Sequence, residues 1–219
     1  MGEAVIYPEA DKLIIYSDFY FYGDAASAEL SAAIAEDIAS HWNEARGTVR
    51  IHRSEMRVEF VINGFYTPDI KPEMVWYNTD PKNNYFRMEE FSLAHVSFVD
   101  GIGCNTGYFK LDNLLNNSTT AAHEYGHTIG LEHPRKLDIR GKGQPGIMYP
   151  RGTVCDPQFQ YDPLAEPLQA GGTINPFTRK VLQQDIDQLL LRRLSWNDRG
   201  MAVIGGFSSI YHTKHEPPQ

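Results

Sequence analysis

With only two cysteines in 219 residues, the chain is not built on a disulfide framework, and neither Cys104 nor Cys155 belongs to a metal-ligand pair. The two thiols read either as small buried apolar side chains or as a single bridge. No apolar run approaches the length that spans a bilayer, and Met1 to Glu9 lack the basic and apolar regions of a signal peptide. Positive charge is also in the minority. Twenty Lys and Arg against 28 Asp and Glu leave a formal net charge of −8 with no basic cluster, which argues against a nucleic-acid or anionic-membrane partner. Internal repeats are absent, and low complexity is confined to Glu216-Pro217-Pro218-Gln219. What is present is 42% hydrophobic content, enough for one substantial core.

The most informative stretch is His123-Glu124-Tyr125-Gly126-His127-Thr128-Ile129-Gly130-Leu131-Glu132-His133. On a helix, residues four apart stack on one face, so His123 and His127 present two imidazoles to one point, with Glu124 beside the first. Gly130 can enter the left-handed conformation that closes a helix, which lets the chain turn and bring His133 round as a third ligand. Three neutral nitrogens leave a tetrahedral position open, the pattern of one catalytic Zn2+ rather than a structural one. Glu124 is the candidate general base and acid, and the chemistry this points to is hydrolysis of a peptide bond by a zinc-activated water. The bland alternative, solvated or core histidines on an ordinary amphipathic helix, fits this clustering poorly.

Gly146-Ile147-Met148-Tyr149-Pro150 follows the third histidine after a short loop and resembles the methionine turn of metzincin peptidases, with Met148 as an apolar floor. Together with Ala121-Ala122 before the first histidine, these motifs resemble the matrixin branch. Upstream, Leu93-Ala94-His95, Gly101-Ile102-Gly103 and Gly107-Tyr108-Phe109 are similar to the matrixin segment that forms the edge strand above the cleft. Downstream, Val181 to Leu189 with Gln184-Asp185-Ile186 resembles the last catalytic helix. The resemblance implies an α+β metzincin zincin fold, in which an active-site helix and a C-terminal helix flank a zinc cleft on a twisted mixed sheet. It implies one catalytic domain over 1–219, divided at about residue 130 into an upper part with the zinc helix and a lower part with the methionine turn. It also implies that an extended peptide adds to the edge strand near Gly107 to Lys110.

The departures matter as well. Only His95 falls on a structural-zinc position and Tyr108 stands where another histidine is expected, so a second zinc is not expected. A structural calcium has no convincing ligand loop, since Asp156, Tyr161 and Asp162 lack the spacing. Pro150-Arg151-Gly152 departs from the proline-any-tyrosine wall of the matrixin pocket, so pocket specificity does not carry over. Tyr149 follows Met148 directly and reads as packing rather than as a ligand.

Along the chain, Leu13 to Tyr22 predicts a strand and Asp24 a cap for the helix marked by Leu30, Ile34, Ile38 and Trp42, with Ala33 and Ala45 on the same side and Gly47 as its stop. Val49 to Ile62 reads as a second strand turning at Asn63-Gly64. A long loop follows, with Trp76, Tyr77, Tyr85 and Phe86 assigned to core, then strands at Phe91 to Phe98 and Thr106 to Leu111. Asn116-Asn117-Ser118 open the zinc helix, Pro176 starts the last helix, and Met201 to Tyr211 reads as a strand-like tail with His212 and His215 facing solvent.

These features predict a zinc metalloendopeptidase acting on a protein or peptide substrate. Two other classes stay open: a zinc amidase acting on a non-protein amide such as a cell-wall crosslink, and an inactive zinc-containing binding module. The cysteine-bearing prosegment motif of matrixins is absent. The expectation is therefore a domain from a larger exported protein, or a toxin-like effector exported without a cleavable signal and held in check by an inhibitor or immunity protein.

Overall fold

The computed structural model describes residues 1–51, 53–115 and 118–217. In chain order the elements are β1 (Gly2–Tyr7), β2 (Lys12–Tyr22), α1 (Ala28–Glu44), β3 (Thr48–Ile51), β4 (Ser54–Tyr66), α2 (Pro72–Trp76), β5 (Asn83–Glu89), β6 (Phe98–Val99), β7 (Thr106–Lys110), α3 (Thr120–Thr128), α4 (Gln183–Gln188) and β8 (Met201–Ile204), joined in places by 3₁₀ turns. The fold is mixed α/β, a mixed sheet with few helices. Sheet order is β3-β4-β2-β5-β7-β6, with β1 and β8 off this path.

β2 is the spine of the sheet because its alternation is strict: Leu13, Ile15, Ser17, Phe19 and Phe21 all point inward and are fully buried. On one side it runs parallel to β4, and on the other β1 pairs antiparallel with its first half while β5 pairs parallel with its second. β7 then pairs parallel with β5 and antiparallel with β6, which leaves the two-residue β6 at the rim. The predicted edge at Gly107 to Lys110 is thus corrected: that segment is interior, and the edge is Phe98–Val99. Of the strand expected at Phe91 to Phe98 only Phe98 lies in one, because Ser92 and Ser97 spend their side chains on turn contacts, Ser92 Oγ to Val96 O at 3.0 Å and Ser97 Oγ receiving Lys110 N–H at 3.0 Å.

α1 packs Ile34, Ala35, Ile38 and Trp42 onto the sheet. Its cap is Ser27, whose side chain receives Leu30 N–H at 3.1 Å, and not Asp24, which pairs instead with Lys214 at 2.7 Å. Ala33 faces out and Ala35 takes the inner position. Asn63-Gly64 is not a turn. β4 runs through it to Tyr66, the hairpin closing between Ile51 and Ser54, and Gly64 is required because α1 crosses there: a Cβ would lie 2.1 Å from the backbone oxygen of Ser31. Gly64→Ala is expected to cost about 1–3 kcal/mol, the range of an overpacked core, and equilibrium urea unfolding checks it; an unchanged midpoint would show that the helix shifts freely.

The core between sheet and helices contains Tyr125 of α3. Its ring meets Trp42 edge-on at 5.6 Å and Phe19 at 5.8 Å, and its hydroxyl pairs with the buried Ser17 hydroxyl at 2.9 Å. Trp42 Nε1 donates to Ala122 O at 3.0 Å. α3 is therefore fastened to β2 and α1 on its buried face, which leaves its other face for the cleft.

Several readings of the remaining chain change. The long loop contains α2 and β5, and β5 buries Asn84, Tyr85, Phe86, Met88 and Glu89 without alternation because it lies inside the sheet. Tyr85 and Phe86 are core, whereas Trp76 and Tyr77 are exposed, Tyr77 at 76%. Pro176 begins a 3₁₀ turn rather than the last helix, which starts at Gln183. Only Met201–Ile204 of the tail is a strand, paired with β1. His212 and His215 do not face solvent: His212 Nε2 lies 2.9 Å from the Asp100 carboxylate, and His215 stacks on Tyr108 at 4.0 Å. Asn116 and Asn117, expected at the start of the zinc helix, and Pro218 and Gln219 at the tail's end lie outside the described residues. Among the described residues no helix is long and apolar enough to cross a membrane.

Candidate metal centre

α3 presents His123 and His127 one turn apart and ends as its sequence requires. Gly130 adopts φ +99, Leu131 N–H returns to Gly126 O at 2.9 Å and Gly130 N–H to His127 O at 3.1 Å. This paired closure is the Schellman arrangement. It reverses the chain within a few residues and lays His133 across the helix end. The Nε2 atom of His133 then sits 3.0 Å from that of His123 and 3.1 Å from that of His127. Among the described residues these three form the one cluster of His, Cys, Asp and Glu donors with metal-binding proximity.

The donor set fits zinc on its own chemistry. His123 Nδ1 lies 2.8 Å from Ile147 O and His127 Nδ1 2.7 Å from Leu131 O. A carbonyl can only accept, so both rings carry their proton on Nδ1 and leave Nε2 as a lone pair. The Nε2 lone pairs of His123 and His127 both face His133 Nε2, at 3.0 and 3.1 Å, where a single N–H of His133 can serve only one of them; a cation serves all three, since a tetrahedral zinc with bonds of about 2.0–2.1 Å places its ligand nitrogens about 3.3 Å apart. All three imidazoles are held below their ordinary pKa, first by burial and also by the nearby Arg179 charge, which keeps them neutral as ligation demands. His123 is buried and His133 exposed, so the open side of the cluster is toward solvent.

Glu124 is buried between this cluster and the edge strand. Burial pushes its carboxyl up to about 8, against the lowering effects of Arg179 and of the Val99 backbone N–H that it accepts. A dication at the imidazoles acts in the same lowering direction. Met148 is buried directly under α3, where a Cβ on Gly126 would come within 2.3 Å of its sulfur. The turn that carries it is fixed from α4: the buried Asp185 carboxyl accepts Leu182 N–H at 2.8 Å and the Ile147 N–H, and burial raises it to about 6. Ile147 thus accepts the His123 Nδ1–H at its carbonyl and turns its N–H toward the Asp185 carboxyl. Tyr149 packs its ring with Ile139, Cys155 and Ile174. Cys104 and Cys155 are free thiols.

A close fit without chemistry is the role this assigns to Met148. Met148→Leu, nearly equal in volume, is expected to cost less than about 1.5 kcal/mol and to leave zinc content unchanged, since thioether sulfur is a soft donor better suited to copper. Metal analysis and a melting curve of the variant check this; loss of zinc from a folded variant would make the sulfur a ligand or a strict positioning group.

One residue of this site carries no signal in the sequence. Arg179, 56 positions from His123, is buried beside it, with Nη1 at 3.0 Å from Tyr149 O and Nη2 at 2.8 Å from Thr119 Oγ1. Burial lowers its pKa to about 10, opposed by the charge of Glu124.

No protein-family profile matches the sequence and no curated protein is similar to it. The fold has a likeness to the crystal structure of archaemetzincin from Methanopyrus kandleri, covering 85% of this chain and 98% of that one at 13% identity and a TM-score of 0.41. That likeness is too distant to assign a family, and the chemistry of the site stands on its own geometry.

Proposed function

We propose that the chain is a zinc-dependent endopeptidase of metzincin type, with His123, His127 and His133 as the metal ligands and Glu124 as the general base and acid. The observation that carries this reading is the convergence of three Nε2 atoms, two of them held as lone pairs by carbonyls on Nδ1, next to a buried carboxylate that is not among the three. Zinc bound there would polarise the scissile carbonyl and make water a nucleophile near neutral pH.

The protein's own groups do the rest. Glu124 accepts the proton of the attacking water and returns it to the departing amine, one carboxylate serving as base and then as acid. Its hydrogen bond from Val99 N–H ties this carboxylate to the rim of the sheet. The rim at Phe98–Val99 is where an extended substrate can add as a further strand, placing its scissile bond over the imidazoles by backbone hydrogen bonds. Hydrolysis of an unfolded protein such as casein, with and without a chelator and with zinc restored, tests the reading. Cleavage that survives complete zinc removal rules it out, and cleavage of peptidoglycan in place of casein selects the amidase alternative.

A further inference from the structure

Beside the imidazoles the cleft opens into a cavity of about 260 Å3, bounded by Val96 and Ser97 on the rim side and by Pro150 and Arg151 on the other, and lined by Arg179. Arg151 is exposed and Arg179 buried, so the first stands at the mouth and the second at the floor. Arg179 has five N–H groups. Nε–H is directed at Thr119 Oγ1 (3.0 Å) and Pro176 O (3.2 Å), one Nη1–H at Tyr149 O (3.0 Å) and one Nη2–H at Thr119 Oγ1 (2.8 Å). Nη1 also lies 3.1 Å from His123 Nδ1, but that nitrogen already carries the proton it gives to Ile147 O and cannot accept another. The second Nη1–H is therefore turned to the His123 ring, and one Nη2–H is left without an acceptor.

No carboxylate pairs with this guanidinium among the described residues. Glu124 acts on this guanidinium through space without touching it, and a buried guanidinium that lacks a contacting carboxylate and keeps an unspent donor at a cavity matches a carboxylate in charge. Which side of the scissile bond meets this cavity depends on the strand direction of the substrate, taken in this proposal as antiparallel to the rim. Both this cavity and the neighbouring depression touch Val96 and Ser97, but only the neighbouring one runs on along Phe98, Val99, Gly101 and Ile102 to His127. A peptide antiparallel to the rim runs from the Ile102 end toward the Val96 end, so its residue after the scissile bond falls into the Arg179 cavity.

We propose that Arg179 is a specificity-determining residue that receives the carboxylate of the residue on the leaving-amine side of the scissile bond, with Arg151 adding positive charge at the mouth. The preferred substrate is then cut in front of Asp or Glu, or in front of a residue that ends in a free α-carboxylate. This rests on the peptidase reading, and the test separates the two.

The zinc-loaded Glu124→Ala protein is titrated by fluorescence anisotropy with C-terminally amidated peptides identical except for Asp, Asn, Glu or Gln at that position, and with an Asn peptide ending there as a free acid. Asp and Glu peptides are expected to bind at least about tenfold tighter than their amides, the scale of a charge-assisted pair in a desolvated site. A gain confined to the free-acid peptide assigns the same site to a terminal carboxylate. No gain from either source, whether all peptides bind alike or none binds, overturns the proposal. Arg179→Gln keeps donors for Thr119 and Tyr149 while removing the charge, and is expected to erase the preference; should it not fold, the peptide series still decides.

Digestion of a peptide library by the wild type provides the second arm. Cuts in front of neutral residues without acidic enrichment overturn the role of Arg179 and leave the peptidase standing. No cuts at all, with the binding preference intact, overturn the peptidase and leave Arg179 as a carboxylate site.

Discussion

Glu124→Ala is expected to keep the fold and the zinc while peptide hydrolysis falls by about a hundred- to ten-thousand-fold, the usual contribution of a positioned base and acid. The metal should stay because the three donors that converge are imidazole nitrogens and Glu124 is not among them. The fold should stay because the carboxylate is a cost rather than a support: it is buried, burial raises its pKa, and the Val99 N–H it accepts is one hydrogen bond at the sheet rim. Removing it frees that N–H for solvent or substrate. The check is kcat/KM on a fluorogenic peptide, with metal content and melting temperature measured on the same sample. Near-normal hydrolysis would make Glu124 structural and the mechanism wrong. Loss of zinc along with activity would mean that the carboxylate shapes the ligands.

What the sequence reveals about this site is what lies within one helix and its cap. The four-residue spacing of His123 and His127 and the glycine at 130 are local facts, and local geometry turns them into stacked imidazoles and a Schellman closure. The sheet is less legible because its pairing is not local. Asn-Gly is the strongest short hairpin signal, yet at Asn63-Gly64 the glycine answers to α1, whose Ser31 backbone crosses it. β5 is buried on both faces and so shows no alternation to read. The matrixin resemblance puts the rim at Gly107 to Lys110, whereas edge position depends on what pairs beside a strand, here Phe98–Val99. Arg179 shows the limit most clearly. It follows a Pro-Phe-Thr turn in an irregular stretch, and only the fold brings it against Thr119, Tyr149 and His123.

His127→Ala is expected to lower zinc from about one per chain to nearly none and to abolish hydrolysis, because two imidazoles are too few protein ligands to hold the ion against solution. The position is the most telling of the three. His127 Nδ1 donates to Leu131 O at 2.7 Å, so the ring proposed as a metal ligand also clips the turn after Gly130 that delivers His133. Alanine removes a ligand and loosens the presentation of another, while the Leu131 N–H to Gly126 O bond still closes the helix. The variant should therefore fold but stop responding to metal. Wild-type stability should rise with free zinc as RT ln(1 + [Zn]/Kd), about 4 kcal/mol at a thousandfold excess over Kd, and the variant's melting temperature should be flat over the same titration. Elemental analysis after dialysis, paired with that titration, checks both halves. A full complement of zinc in the variant would mean that the ion is held by a set other than His123, His127 and His133, and an unfolded variant would mean that the His127 to Leu131 clip outweighs the helix closure.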